Sequence, residues 1–179
     1  MIAALAVALG ACAQHDRSRS DWEDQNAPWL AKAGDDASTV ALPPYPRAED
    51  LIEFPVDGVP GFRFYVAANS VAVSRQRDGI IRYVLVARSS EGAESISYEG
   101  LNCRSAEYRS YAGGQAGAWR IQQVPWRPVA ARKAQATLMR EFFCPRHVAI
   151  ADGAEGVMAL RSGRHPLVIN PNPVGGGGR

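Results

Sequence analysis

Lysine is almost absent from this chain: Lys32 and Lys133 are the only two in 179 residues, and arginine carries nearly all the positive charge. The formal net charge is only +2, too small to draw in a nucleic acid through its phosphates. Beside abundant alanine and glycine, the arginine bias reads as a GC-rich genome rather than as phosphate recognition. Long hydrophobic runs are missing too. The opening apolar stretch, residues 2–11, falls well short of the roughly 20 residues that a helix needs to cross a bilayer. Histidine occurs three times, as His15, His147 and His165. Neither a Gly-x-Ser-x-Gly elbow nor a His-Glu-x-x-His pair occurs, so the commonest sequence marks of serine and zinc hydrolases are lacking.

What the chain does have begins with Leu9-Gly10-Ala11-Cys12 at the end of that apolar stretch. Leucine, two small residues and cysteine closing a hydrophobic segment look like a lipobox, where bacteria acylate the thiol and cleave just before it. The expectation is removal of residues 1–11 and a mature chain that starts at lipidated Cys12. A diacylglyceryl thioether plus an amide-linked acyl chain holds a protein at a membrane stably. Ala13, rather than aspartate, follows the cysteine, which favours the outer membrane over the inner. No basic residue precedes the apolar run, so the natural start is expected to lie further upstream. Two other readings stand beside this one. Ala11-Cys12-Ala13 also fits an ordinary signal-peptidase site that would release a soluble periplasmic protein, and the run could be a buried N-terminal helix.

The full chain of 179 residues is 46% hydrophobic and 21% charged, the composition of a folded domain. With Cys12 assigned to the anchor, Cys103 and Cys144 remain, and an oxidising compartment favours joining them. In the chain-entropy picture a bridge closing that loop stabilises the fold by about 4 kcal/mol.

Residues 12–48 read as a flexible tether punctuated by Asp, Gln, Ser, Gly and Pro, with Trp22 and Trp29 placed to dock back and Pro43-Pro44-Tyr45-Pro46 as an extended spacer. A domain is expected over 49–168 and a disordered Pro/Gly-rich tail over 169–179. Period-two apolar patterning predicts strands at 51–56, 62–66 and 80–88, with a shorter one at 70–73; apolar residues on both faces of 80–88 make it central. The chain then turns back through 93–103 and 107–112, an antiparallel meander. Residues 119–126 add an extended segment. Ala131, Ala134, Leu138 and Phe142 fall at helical spacing, so one main helix should end at Cys144 before Pro145. A second short helix is expected over 154–161, weakened by Gly156. The class is α+β: an antiparallel meander sheet with one main C-terminal helix packed on it.

The strand residues Phe62-Arg63-Phe64-Tyr65-Val66 and 79–89, then Tyr98-Glu99-Gly100-Leu101-Asn102-Cys103 and 108–112, resemble the cryptic neisserial protein-like family. Trp119, Trp126, Phe142-Phe143-Cys144-Pro145 and Leu160-Arg161-Ser162-Gly163 continue the likeness, which covers roughly residues 50–163. Asn102 stands where the family pattern favours arginine before the first cysteine. The resemblance implies a proteobacterial envelope protein with a cysteine pair. It implies no chemistry, and there are no catalytic residues to carry over.

Candidate chemistry must therefore be read from the residues. Cys144-Pro145-Arg146-His147 has half the spacing of a zinc site that Cys103 and His165 could complete, but the disulfide reading competes for both thiols, and no metal or other cofactor is expected. A thiol-redox role lacks its second cysteine. Glu99 and Glu107 could pair across strands, with Arg104 and Arg109 close enough to neutralise them. The strongest cluster is aromatic and cationic: Tyr98, Tyr108, Tyr111, Trp119, Arg120, Trp126 and Arg127, which either bind a ligand by stacking or form the rim of the core. The chain therefore reads as a non-catalytic interaction or structural module. Its partners would be the membrane through Cys12 and an envelope protein or peptidoglycan, with no nucleic acid. The alternatives are a small periplasmic hydrolase or metal-dependent enzyme using His147 or His165, and an assembly factor for an envelope complex.

Overall fold

The computed structural model describes residues 41–73, 80–122 and 124–170. The expected signal segment, Cys12, His15, Trp22, Trp29, the Asp78-Gly79 turn and residues 171–179 lie outside the described residues. The described strands form one antiparallel sheet: β1 (Leu51–Phe54), β2 (Phe62–Ala67), β3 (Ala72–Val73), β4 (Ile80–Ser89), β5 (Glu94–Asn102), β6 (Glu107–Gln115), β7 (Ala118–Ile121) and β8 (Arg127–Pro128). Their order is β1-β2-β4-β5-β6-β7, with β3 pairing on β4 and β8 on β6. The meander therefore runs through β4, β5 and β6, as the sequence pattern predicts. β4 is covered on both faces: Ile81, Tyr83 and Leu85 point one way, Val84 and Val86 the other, and none is more than 7% exposed.

Among the described residues, the α-helices all follow the sheet. α1 (Ala134–Thr137) runs directly into a wider, π-wound turn, Leu138–Phe143, closed by the Cys144 amide donating to the Met139 carbonyl at 3.0 Å. This departs from the single helix expected from Ala131, since the helical winding starts only at Ala134 and changes pitch after one turn. The wider winding narrows the arc over which side chains spread, and Leu138, Met139, Phe142 and Phe143 all become buried against the sheet. It also delivers Cys144 to Cys103 just beyond β5, where the two form a disulfide with their Cα atoms 5.5 Å apart.

α2 (Gly153–Arg161) is capped by Asp152, whose carboxylate accepts from the Glu155 amide at 2.9 Å. Its Gly156 is a packing requirement rather than a weakness: a Cβ there would lie 2.6 Å from Ile150 Cδ1 and 3.0 Å from Val71 Cγ1. α3 (Pro166–Ile169) closes the described chain.

The helices cover one face of the sheet around Phe54, Val66, Tyr83, Leu101 and Phe142. On the opposite face Tyr65, Val84, Val86, Tyr98, Tyr111 and Ala112 form a second cluster, with Leu42 and Trp119 at its margin. Residues 41–47, part of the expected spacer, pack there instead of standing free. Pro43 is buried and accepts from the Trp119 indole at 2.8 Å, while the Tyr45 and Trp119 rings lie 5.2 Å apart. Proline has no amide proton to leave unsatisfied, so such a stretch can lie on a sheet through its carbonyls and rings.

Candidate ligand-binding groove

Helix cover stops part-way along the sheet, and the uncovered part of that face forms a groove of about 570 Å³. β2 contributes Phe62 and Phe64, β4 contributes Leu85 and Ala87, and β5 contributes Ser95, Ser97 and Glu99. These residues share a face because strand side chains alternate and the strands pair in register, Phe64 opposite Ala87 and Ala87 opposite Ser95. The far wall is residues 132–135, the approach to α1 and its first two residues, with Val59 completing the lining. Phe62 is half exposed at the lip, its ring 6.2 Å from that of Phe64.

Glu99 lies at the end of the groove where helix cover begins, only 5% exposed. One carboxyl oxygen accepts from Ser97 Oγ at 2.8 Å, and the other from Tyr83 Oη at 3.0 Å and Gln135 Nε2 at 2.8 Å. No cation is among these partners. Burial raises the carboxyl above its usual range, opposed by the hydrogen bonds from Gln135, Ser97 and Tyr83. Tyr83, buried beside it, is likewise pushed up by burial first and by Glu99 second. The expected cross-strand pairing of Glu99 with arginine does not form. Glu99 stands opposite Ser110 and faces the helices, while Glu107 stands opposite Asn102 and so belongs to the other face.

The predicted aromatic and arginine cluster is divided by the sheet. Tyr108 packs with the helix-side core. Tyr98 and Tyr111 are buried on the other side with ring centroids 5.4 Å apart, and Trp119 lies at their edge. A bulge in the β5–β6 pairing places Tyr111 across Gly100, where an added Cβ would meet its hydroxyl at 2.5 Å. Arg82 and Arg109 hold their guanidinium carbons 5.6 and 4.9 Å from the Tyr111 ring centre, and Arg109 also lies 5.7 Å from Trp126. Arg120 and Arg127 are exposed. Of the seven, none lines the groove.

The two described histidines also lie away from it. His165, 2% exposed, has its Nε2 2.9 Å from Glu155 and its Nδ1 accepting from the Leu167 amide at 3.1 Å. Both ring nitrogens thus tie α2 to α3. His147 is exposed on a turn with positive φ. The four-ligand metal set is undone by the disulfide, which takes the sulfurs of Cys103 and Cys144, and among the described residues no group of three or more metal-ligating side chains converges. What the groove offers is recognition: apolar walls, hydroxyl and amide groups near its floor, and exposed Arg132 and Lys133 on one rim.

Sequence reasoning overlooked this groove, although a signal was there. Ser95, Ser97 and Glu99 occupy alternate positions in line with the core residues Leu101 and Cys103. A polar run on a strand face that later turns apolar marks where cover ends.

The family model of CNP1-like proteins (cryptic neisserial protein 1-like) matches residues 31–161. The chain belongs to the CNP1-like family. No curated protein and no solved structure matches it. In this CNP1-like chain the matched span takes in the whole sheet, the disulfide and both groove walls.

Proposed function

We propose that this protein is a non-catalytic binding module of the bacterial cell envelope. It is held by acylated Cys12, faces the periplasm from the outer membrane, and takes its ligand in the groove beside Glu99. The groove carries this reading: its volume lies within the range of small-ligand sites, about 300–1,000 Å³. Among the described residues, the only carboxyl lining it is engaged by three neutral donors, and no histidine or cysteine lines it. Recognition needs only the walls and the rim. Family membership and the disulfide support the envelope assignment, and the lipobox-like Leu9-Gly10-Ala11-Cys12 supports the anchor.

Photocrosslinking in cells tests the binding claim. Phe62→p-benzoylphenylalanine places the reactive ketone at the groove lip, and the same substitution at Ile121, 72% exposed on β7, serves as the control. The expected result is an adduct at position 62 that is absent at 121 and suppressed by Ala87→Trp, which fills the groove. Equal adducts at both positions, or an adduct indifferent to Ala87→Trp, would contradict it. Metabolic labelling with an alkyne fatty acid tests the anchor, which requires label on the native chain and none on Cys12→Ser.

A further inference from the structure

Building on the groove reading, we propose that the ligand is a single-chain anionic amphiphile, with its alkyl chain along Phe62, Phe64, Leu85 and Ala87 and its acidic head between Arg132 and Lys133. Two independent features meet in this assignment. The first is the apolar surface that the sheet leaves uncovered. Phe62 is 50% exposed at the lip, with Phe64 and Ala87 partly exposed behind it, so a chain laid there removes aromatic and aliphatic surface from water. About 570 Å³ suits one alkyl chain rather than the two of an intact diacyl lipid.

The second feature is charge. Arg132 and Lys133 are adjacent, exposed and on the groove rim, and neither forms an ion pair or side-chain hydrogen bond with a described residue. Lys133 precedes α1 without capping it through its side chain, so its ammonium is free to turn toward a head group. Among the described residues, the only acidic side chain in the lining is Glu99, buried and with its oxygens already taken by Tyr83, Ser97 and Gln135. The groove is thus apolar along its length and cationic at one rim. A cationic head would meet those two charges unfavourably, and a neutral one would gain less from them than an anionic one.

Isothermal titration of the Cys12→Ser chain with octyl, decyl and dodecyl phosphate, each below its micelle-forming concentration, tests the proposal. Inorganic phosphate, dodecanol and dodecyltrimethylammonium complete the series. One alkyl phosphate should bind per chain, about fourfold more tightly for each added CH₂ until the groove is full. Inorganic phosphate alone should show no comparable binding. Arg132→Ala with Lys133→Ala should weaken dodecyl phosphate about tenfold and leave dodecanol unchanged. Both substitutions lie on exposed side chains outside the core. Ala87→Trp should abolish binding.

If dodecanol and dodecyltrimethylammonium bind as tightly as dodecyl phosphate and remain sensitive to Ala87→Trp, the groove stands and the anionic assignment falls. Inorganic phosphate matching dodecyl phosphate would overturn the amphiphile, since the chain would then contribute nothing. Absence of any alkyl phosphate binding also overturns it, while the crosslink at position 62 still reports on the groove. Binding that survives Ala87→Trp unchanged overturns both.

Discussion

Glu99→Gln should stabilise the protein at neutral pH and do little in acid. The carboxyl is 5% exposed and has hydrogen-bond donors but no cation beside it. Burial dominates and raises it above the usual carboxylate range. An acid raised in the native state keeps its proton after the unfolded chain has lost its own, so stability falls as pH rises through that interval. The loss is about 1.4 kcal/mol for every pH unit over which the native carboxyl is protonated and the unfolded one is not. It starts near pH 4.5, where an ordinary glutamate carboxyl ionises, and stops once the native carboxyl ionises. Glutamine keeps the shape. Its oxygen can accept from Tyr83 and Gln135, and its amide can donate to the Ser97 hydroxyl, which rotates to accept. Urea unfolding of both proteins from pH 4 to pH 8 isolates the effect, because every other group titrates in both. The difference should be near zero at pH 4 and grow in favour of Glu99→Gln above pH 5. A variant less stable than the native protein by a constant amount at every pH would refute the reasoning, since Glu99 would then serve only as a hydrogen-bond acceptor of fixed charge.

Two further changes probe the frame around the groove. Cys103→Ala with Cys144→Ala opens a bridge spanning a sequence separation of 41, and should cost about 4 kcal/mol in urea unfolding; a loss below about 1 kcal/mol would mean that the unfolded chain is not constrained by it. Gly100→Ala places a methyl 2.5 Å from the Tyr111 hydroxyl and 2.7 Å from its ring, which should cost about 1–3 kcal/mol and alter the near-ultraviolet circular dichroism of the Tyr98–Tyr111 pair. Adding Tyr111→Ala removes the clash, so the double variant should lose less than the sum of the two single changes. Simple additivity would contradict the close approach.

The meander was legible because β4, β5 and β6 obey local rules. Apolar residues on both faces of β4 marked a central strand, and short connections imposed antiparallel neighbours. The disulfide was legible from the cysteine count together with the oxidising compartment expected from the sequence. The pitch change after Thr137 was not, because Leu138 to Phe143 read equally well as one continued α-helix; the difference arises from packing four large side chains and reaching Cys103. The division of the aromatic cluster by the sheet was illegible for a related reason. Tyr98, Tyr111 and Trp119 are conspicuous in sequence, yet tertiary packing spends them on the second core. Whether an aromatic lies inside or at a lip depends on where the helices stop, as Phe62 and Phe64 show. Gln135, 36 residues beyond Glu99 and hydrogen-bonded to it, carried no local signal at all.

Native mass spectrometry of the Cys12→Ser chain and its Ala87→Trp variant, each purified from the bacterial envelope without detergent, tests the groove most directly. The account predicts a small-molecule adduct that accompanies the first chain and is missing from the second. Identical spectra, whether both bare or both carrying the same adduct, would contradict it.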